Sequence, residues 1–281
     1  ILLLVLITLF FLGFYLSGGY YDIDYSSKPS IVCIGKTEPF QIEDVALFHQ
    51  RQQFSVHVDI VNIPNPDKIL TGGEDAYFIS SDRHTFGIFD GVGGWNDRGI
   101  DPGLYSQSLA DSSKDSVEEY NMRDPLSILC VAETESVSII GSSTATCVTI
   151  DGNQLLYATL GDSKFILIRD GSIVFESIEQ QHEFNTPYQI GALGDGLDQT
   201  DIGSLIIKNG DIILMGTDGL FDNLYIEEIL EIMNRQNSNT NKAEILSNAA
   251  YLRSQDKLFD SPHSTKAREA GLFHIGGKQD D

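Results

Sequence analysis

The sequence predicts an α+β fold whose sheets are mainly antiparallel. Short apolar runs follow one another closely between residues 144 and 215, and Gly152-Asn153 and Asp170-Gly171 mark turns between consecutive runs. Helical patterns come before and after this block. Stacked sheets covered by helices account for both observations. The 281 residues are enough for one large domain with a sizeable core.

The predicted strands are short runs rich in apolar residues, the first of them in alternation with polar ones. They lie at 54–60, 76–80, 85–89, 144–150, 154–160, 165–169, 173–176, 204–207 and 211–215. The second and third flank the turn Ser81-Asp82-Arg83-His84, so we expect these two to form a hairpin.

The first two predicted helices begin at recognisable start signals. Asp101-Pro102 combines an N-cap aspartate with a proline at the first helical position, and we expect a helix from there to about Tyr120. Asp124-Pro125 repeats this signal before a helix over 126–137. Further helices are predicted at 226–234 and 242–253, with an Asn/Ser-rich loop over 234–241 between them.

The N-terminal residues differ from the rest of the chain. Residues 1–17 form an almost wholly apolar segment, which is short for a membrane span and long for the core of a signal peptide. A signal anchor and a cleaved signal-peptide core both remain open. Residues 18–53 are polar and irregular and are predicted to be a linker, with a candidate strand at 30–34. The folded domain is predicted over 54–281.

Charge and cysteine content argue against several classes of protein. The chain has 18 Lys and Arg and 41 Asp and Glu, a formal net charge of −23, so we expect no binding to nucleic acid. Its three cysteines are Cys33, Cys130 and Cys147. An odd number without a Cys-x-x-Cys pair argues against a disulfide framework and against a structural zinc site.

Short acidic motifs are spread along the chain. They are Gly73-Glu74-Asp75-Ala76, Phe89-Asp90-Gly91-Val92-Gly93-Gly94, Gly161-Asp162-Ser163, Thr217-Asp218-Gly219-Leu220-Phe221-Asp222-Asn223 and Gly276-Gly277-Lys278-Gln279-Asp280-Asp281. Asp90 and Asp218 each follow a predicted strand. Carboxylates at strand ends can converge at one rim of a sheet, where they repel one another unless a cation neutralises them. Oxygen ligands of this kind select Mg²⁺ or Mn²⁺ over softer metals.

In this order the motifs resemble those of the metal-dependent type 2C serine/threonine protein phosphatases, over about residues 64–281. The likeness is closest to the branch that carries the mitochondrial phosphatase linked to coenzyme Q synthesis. That likeness rests on Ile63-Pro64-Asn65-Pro66, Gly72-Gly73-Glu74-Asp75-Ala76, Asp90-Gly91-Val92-Gly93-Gly94-Trp95, Gly99-Ile100-Asp101-Pro102 and Gln180-Gln181-His182-Glu183-Phe184-Asn185-Thr186-Pro187. The resemblance implies an α-β-β-α sandwich, in which two mainly antiparallel sheets are flanked by helices and the metal site lies at one end between the sheets.

The resemblance also implies two groups of acidic-site residues. The direct metal ligands would be Asp90, Gly91, Asp218, Asp280 and Glu74. Asp90 would bridge two ions, and Gly91 would bind through its backbone carbonyl. Residues that hold waters or a looser third ion would be Asp75, Asp162, Asp222 and Asp281. Catalysis would depend above all on Asp90 and Asp218.

The chain departs from the family pattern at several positions. Val92 stands where many relatives have a histidine that is a proposed acid for the leaving alcohol. His182 is a candidate replacement, but we expect it to be a buried structural histidine. The usual phosphate-binding arginine upstream of Glu74 is not evident, and Lys68 is a weak substitute for it. Relatives continue past the position of Asp281 with a strand rich in Ile and Val, so we expect that this sequence lacks the last strand.

The activity implied by the resemblance is hydrolysis of phosphoserine and phosphothreonine in proteins by a water that bridges two divalent ions. The cofactors would be Mn²⁺ or Mg²⁺, with room for a third ion, and the partners phosphoprotein substrates of a monomeric catalytic domain. The alternative is a catalytically weak or dead relative that acts as a binding module. Residues 1–17 favour membrane anchoring or the secretory pathway, and family analogy suggests a mitochondrial location instead.

Overall fold

The fold is built from short strands and six helices over the part of the chain that the structure describes. The computed structural model describes residues 54–64, 68, 72–235 and 241–279. The strands are β1 (Asp75–Ile79), β2 (Thr85–Asp90), β3 (Ser142–Ser143), β4 (Ala145–Asp151), β5 (Gln154–Leu160), β6 (Lys164–Arg169), β7 (Ser172–Glu176), β8 (Gln181–Glu183), β9 (Thr186–Pro187), β10 (Ile190–Gly191), β11 (Asp201–Ile206) and β12 (Ile212–Gly216). The helices are α1 (Gly103–Tyr120), α2 (Pro125–Ser136), α3 (Asp218–Phe221), α4 (Ile226–Asn234), α5 (Lys242–Ser254) and α6 (Pro262–Glu269).

Two antiparallel sheets form the centre. The larger has the strand order β1-β2-β4-β5-β11 and the smaller the order β12-β6-β7. Two further pairs, β3 with β10 and β8 with β9, are short. The turn between β6 and β7 places Asp170 and Gly171 at φ values of 50° and 78°. Two consecutive positive φ angles are what a tight hairpin turn requires, which explains the Asp-Gly pair.

Alternate side chains of the central strands point into different layers. On β6, Phe165 and Leu167 pack against Val148 of β4, whereas Ile166 and Ile168 lie in another cluster with the last helices. This period of two follows from the pleat of a strand. Because both faces of β6 are covered, its side chains are buried along almost the whole strand.

Three hydrophobic clusters define four layers. The first joins α1 and α2 to the larger sheet, through residues that include Leu109, Ile128, Phe89, Cys147 and Ala158. The second lies between the sheets and includes Val148, Ile150, Leu155, Phe165 and Leu167. The third joins the smaller sheet to α3, α4 and α5, through Ile166, Ile168, Phe221, Ile229 and Leu246. The order is therefore helices, sheet, sheet, helices, and the predicted α-β-β-α sandwich is confirmed.

Both predicted helix starts are found, one of them displaced by one residue. Asp124 caps α2, since its carboxylate accepts a hydrogen bond from the Ser127 amide at 2.9 Å, and Pro125 is the first helical residue. In α1 the cap position is Pro102, and the helix begins at Gly103. The Asp101 carboxylate still accepts a hydrogen bond from the Gly103 amide at 3.0 Å, so it satisfies a helix-end donor from one residue further out.

The strand predicted at 54–60 is wrong. Residues 54–64 are irregular, although Phe54 and Val56 are half-buried against the cluster between the sheets. The alternation of apolar and polar residues in this segment arises because one side of it contacts the core. A strand also needs a partner for its backbone groups, which an apolar pattern does not supply.

Several elements were not predicted from the sequence. They are α3, α6, the strands β3 and β8 to β10, and two 3₁₀ turns at Gly93–Arg98 and Leu197–Gln199. A start signal for α6 was present in Ser261-Pro262: the Ser261 hydroxyl accepts a hydrogen bond from the Ser264 amide at 3.0 Å. It repeats the pattern used for α2, with serine in place of aspartate.

Some predictions fall on residues outside the described part of the chain. These are the apolar segment 1–17, the linker 18–53 with its candidate strand, and the ligand positions Asp280 and Asp281. None of the helices within the described ranges is long and apolar enough to cross a membrane. The division into segments 1–17, 18–53 and 54–281 stays a prediction.

Candidate active site

The first two acidic motifs meet across the β1–β2 hairpin. Asp75 and Asp90 are paired residues in the register of these antiparallel strands. One residue further out, the Gly91 amide donates a hydrogen bond to the Glu74 carbonyl at 3.0 Å. The hairpin therefore brings Glu74 and Asp75 beside Asp90 and Gly91 at one end of the larger sheet, as their strand-end positions predicted.

Gly91 is required by the close approach of two other backbone segments. A Cβ atom at this position would lie 2.8 Å from the Pro102 carbonyl oxygen and 2.9 Å from that of Glu74. Both neighbours are backbone atoms, which cannot turn away as a side chain can. The absence of a side chain thus lets the start of α1 pack directly on the hairpin end.

Thr144 connects Asp90 to the third motif. The Asp90 amide donates to the Thr144 hydroxyl at 3.2 Å, and the Thr144 amide donates to the Asp90 carbonyl at 2.9 Å. The same hydroxyl lies 2.7 Å from the Ser163 hydroxyl. Asp162, which precedes Ser163 in the turn between β5 and β6, is therefore held close to the hairpin end.

Thr217 brings the fourth motif from the smaller sheet to the larger one. It follows β12 directly, and its hydroxyl donates a hydrogen bond to the Asp75 carboxylate at 3.0 Å. Asp218 is the next residue, the first of α3, and is buried. The site therefore lies where the ends of the two sheets come together.

Asp162 is a buried carboxylate whose environment favours a cation. It is 3% exposed. Burial, followed by the negative charge of Asp218, raises the pKa of Asp162 to about 7, against a smaller opposing effect of a hydrogen bond from Gln181. Gln181 donates to Oδ2 at 2.7 Å, whereas Oδ1 is buried and accepts no hydrogen bond from the described residues. A buried oxygen in this state is suited to a metal ion or a metal-bound water.

Asp222 lies in a different environment, surrounded by positive charge. Lys266 contacts its Oδ1 at 3.1 Å, and His263 contacts its Oδ2 at 3.2 Å. Burial by itself would raise the pKa of Asp222, but the hydrogen bond from His263 and the charges of Lys266 and Lys278 outweigh it and hold this pKa well below its usual range. Of the two roles predicted for Asp222, this favours an outer one over direct binding of a third ion.

The network around Asp222 continues to the smaller sheet. Lys266 also contacts Glu179 at 2.8 Å, and Glu179 contacts the buried Lys164 of β6 at 2.7 Å. Glu176 contacts the same lysine at 2.7 Å. This alternation of charges ties α6 to the sheet behind Asp222.

Glu74 is buried and held by two side chains. Lys68 contacts its Oε1 at 2.6 Å, and Asn96 donates to the same oxygen at 2.6 Å. Asn96 belongs to the 3₁₀ turn that follows Asp90-Gly91, so two sequence motifs meet at this carboxylate. Lys68, predicted as a weak substitute for a phosphate-binding arginine, lies beside a predicted metal ligand.

Lys278 occupies the opposite side of the centre. Its ammonium group contacts the Asp218 carboxylate and lies 3.6 Å from the Asp222 Oδ2. Asn223 holds its backbone at both ends: the Lys278 amide donates to the Asn223 side chain at 2.9 Å, and the Asn223 side chain donates to the Lys278 carbonyl at 2.9 Å. The fifth motif, up to Gln279, is thereby joined to the fourth.

His182 is not buried, contrary to the sequence-based expectation. Its side chain is 47% exposed. Its Nε2 lies 2.6 Å from the Asp195 carboxylate, and its ring packs on that of Tyr188 at 4.2 Å between centroids. The expected burial is therefore wrong, and the structural role of His182 stays a prediction.

The donor set fits a hard divalent cation in its chemistry. The converging groups are carboxylates and a backbone carbonyl, which Mg²⁺ and Mn²⁺ prefer, and Asp162 offers a buried oxygen without a hydrogen bond from the described residues. Within the described ranges, no three Asp, Glu, His or Cys side chains are grouped closely enough to hold a metal ion. Asp280 and Asp281, two of the predicted acidic residues, lie beyond those ranges.

The sequence did not indicate the groups that connect the motifs. Thr144, Asn96, His263 and Lys266 were not singled out, since none carries a local pattern that points to a distant carboxylate. Thr217 is different, because it immediately precedes Asp218. A threonine between a strand and a functional aspartate is a position from which a hydroxyl can reach a neighbouring strand end.

Comparison with known proteins agrees with this arrangement. The family model described as protein phosphatase 2C matches residues 80–187. The chain is 42% identical to "Probable protein phosphatase 2C 55" of Arabidopsis thaliana over 78% of its own residues, which span only 48% of that relative. It is 38% identical to the "Protein phosphatase PTC7 homolog" of Homo sapiens, over 74% of this chain and 77% of the human one. The crystal structure of the photosystem II phosphatase PBCP superposes with a TM-score of 0.73, at 31% identity, over 78% of this chain and 92% of that one.

Proposed function

Because the chain belongs to the protein phosphatase 2C family, we propose that it hydrolyses phosphoserine and phosphothreonine in proteins with the help of Mn²⁺ or Mg²⁺. One observation carries this proposal: Thr217, at the end of β12, donates a hydrogen bond to Asp75, the strand partner of Asp90, so the strand ends that carry Asp90 and Asp218 meet. Relatives in the PTC7 branch support the same assignment.

The ligands in this proposal are those that the resemblance implied. Asp90 would bridge two ions. The Gly91 carbonyl, Asp218 and Asp280 would be the further ligands of one ion, and Glu74 would bind the other. Asp75, Asp162, Asp222 and Asp281 would hold bound waters or a looser third ion. Bound divalent ions would supply a water of lowered pKa and positive charge that neutralises the phosphoryl oxygens.

The chain's own residues hold this centre in shape. The Thr217 hydroxyl orients Asp75, Asn96 and Lys68 orient Glu74, and Gln181 orients Asp162. Such outer contacts commonly affect metal affinity or activity by about 10- to 100-fold in metalloproteins. The leaving alcohol needs a proton, and with Val92 in place of a histidine, solvent at the centre is the donor we propose.

A binding module without catalysis is the second candidate, and Val92 is the observation that favours it. A phosphatase releases phosphate from a phosphothreonine peptide when Mn²⁺ is added, and its Asp90→Asn variant does not. A binding module retains the peptide without releasing phosphate. Phosphate release that is equal in the wild type and the variant would exclude the proposed site.

The location of the protein is the second part of the proposal. We assign residues 1–17 as a signal anchor or signal-peptide core, because this segment is almost wholly apolar; a mitochondrial location by family analogy is the alternative. A fluorescent reporter fused after residue 53 tests both, with a fusion that lacks residues 1–17 as its control. Reporter in the mitochondria with residues 1–17 present would refute the assignment.

A further inference from the structure

Lys278 is a lysine built into the acidic centre. Its side chain is only 16% exposed, and its ammonium group contacts Asp218 and lies 3.6 Å from Asp222. Its charge also acts on Asp162. Among the described residues, the carboxylates of Asp162, Asp218 and Asp222 thus lie near this ammonium group, which reduces the repulsion between them.

The backbone around Lys278 is held on three sides. Asn223 binds its amide and its carbonyl, each at 2.9 Å. The hydroxyls of Ser261 and Ser264 both donate to the Gly276 carbonyl at 2.7 Å. At Gly277, a Cβ atom would lie 2.1 Å from the Arg253 carbonyl oxygen, so only glycine permits the approach to α5. The placement of the lysine is therefore a consequence of packing on α5, α6 and the turn after α3.

We propose that Lys278 is an internal counter-cation that competes with a divalent metal ion for Asp218. This inference rests on the proposed function, since it requires that Asp218 bind metal. A metal ion on Asp218 and the ammonium group would repel each other at close range. The long, flexible lysine side chain can leave while its backbone stays bound to Asn223, because its charge sits at the end of four methylene groups.

Competition of this kind has two consequences of opposite sign. In the absence of metal, Lys278 stabilises the fold by compensating buried carboxylates. In its presence, displacement of the ammonium group weakens the apparent metal affinity. A higher concentration of free metal is then needed to occupy the centre than the carboxylates alone would require.

Calorimetric titration with Mn²⁺ and thermal melts without metal test the proposal. Lys278→Met should bind Mn²⁺ at least about tenfold more tightly than the wild type, since removal of one nearby positive charge favours a cation. The same variant should melt at a lower temperature without metal. Lys278→Arg keeps the charge and should resemble the wild type, as should Lys257→Met, which removes an exposed lysine.

A labelling experiment on the wild type avoids any risk that the variant fails to fold. Acetylation of Lys278, followed by mass spectrometry, should be slow without metal and several times faster with saturating Mn²⁺, while Lys257 reacts equally in both. Unchanged labelling of Lys278, or Mn²⁺ affinity in Lys278→Met that is equal to or below that of the wild type, would overturn the competition and leave the phosphatase proposal intact. Absence of Mn²⁺ binding in all four proteins would overturn both.

Discussion

At the scale of single residues, the site consists of carboxylates that differ in their surroundings. Asp162 is buried beside Asp218 with a raised pKa, whereas Asp222 is surrounded by His263, Lys266 and Lys278. Similar side chains in one centre therefore have different surroundings. Asp162 has a buried oxygen that accepts no hydrogen bond from the described residues, and Asp222 joins α6 and the segment around Lys278 to the site.

Asp90→Asn and Asp218→Asn should each abolish most turnover without unfolding the protein. Each change removes charge from the centre at nearly constant shape. We expect kcat to fall by at least about a hundredfold, as when one charge-stabilising group is removed from an active site. Phosphate release measures kcat and circular dichroism checks the fold. Near-normal kcat in either variant would exclude that residue as a ligand.

Val92→His tests the source of the proton for the leaving group. If solvent at the centre already supplies it, the new imidazole should change kcat by less than about tenfold, below the usual contribution of an added acid or base. The measurement is kcat on a phosphothreonine peptide. A gain of about a hundredfold would mean that the natural protein lacks an acid.

At the scale of elements, the site depends on close contacts between backbone segments. The hairpin end and the start of α1 meet without intervening side chains at Gly91, whereas the end of β12 is joined to the hairpin by the hydrogen bond from Thr217 to Asp75. The salt bridges between elements are a second kind of connection. Arg169 on β6 forms two hydrogen bonds with Asp211, at 2.8 and 2.7 Å, just before β12 begins.

Gly91→Ala should destabilise the domain and reduce activity together. The added Cβ would press on two backbone carbonyls, and overpacking of this kind costs about 1–3 kcal/mol. Gly94→Ala is the matched control, because a Cβ there meets no atom within 4 Å. Thermal melts and phosphate release compare the two variants. Equal melting temperatures would show that the contact at Gly91 relaxes without cost.

Asp211→Asn should lower the free energy of unfolding near neutral pH by about 1–3 kcal/mol, the order for a hydrogen bond to a charged group. The hydrogen bond from Arg169 lowers the pKa of Asp211 in the folded state below its ordinary value of 3.8. A lowered folded-state pKa contributes stability above the unfolded-state pKa, and this contribution is lost as the pH falls through the folded-state value. The difference between variant and wild type should therefore shrink below about pH 4.

Glu231→Gln is the control for that experiment. Glu231 pairs with Arg235 on the exposed side of α4, where such pairs contribute at most about 1 kcal/mol. Denaturant unfolding between neutral and acidic pH gives the required free energies. A difference for Asp211→Asn that stays constant at all pH values would contradict a role for its charge.

At the scale of the whole molecule, the sandwich brings one end of each sheet together. Each sheet has its own helical layer, and the cluster between the sheets holds their faces in contact. The acidic residues come from both sheets, so the centre forms only when the sandwich is assembled. Metal binding and folding should consequently be coupled.

Removal of metal should abolish activity and lower the melting temperature. A ligand that binds only the folded state at 100 times its Kd stabilises that state by about 2.7 kcal/mol. EDTA followed by stepwise addition of Mn²⁺ should restore both properties over the same concentration range. Full activity after chelation, with metal content verified as nil, would refute the metal-dependent reaction.

Local signals in the sequence were sufficient for most elements, whereas the set of candidate ligands came from the family resemblance. The Asp124-Pro125 start of α2, the Asp170-Gly171 turn and the β1–β2 hairpin are each determined within a few residues, by capping and turn geometry. The dependence on local signals also explains the predictions that were wrong. The segment 54–60 has the pattern of a strand but pairs with no strand among the described residues, and His182 is exposed because it lies in the short strand β8, whose residues are largely exposed.

By itself, the sequence determined which carboxylates stand at strand ends and the chemistry that such oxygen donors favour. Only the tertiary structure decided which of them are close to one another and in what charge state. Asp162 and Asp222 look alike in sequence, yet one is buried beside Asp218 and the other among Lys278, Lys266 and His263. The reason is physical: electrostatic energies depend on distances in space and on burial, and both are set by the packing of segments far apart in the chain.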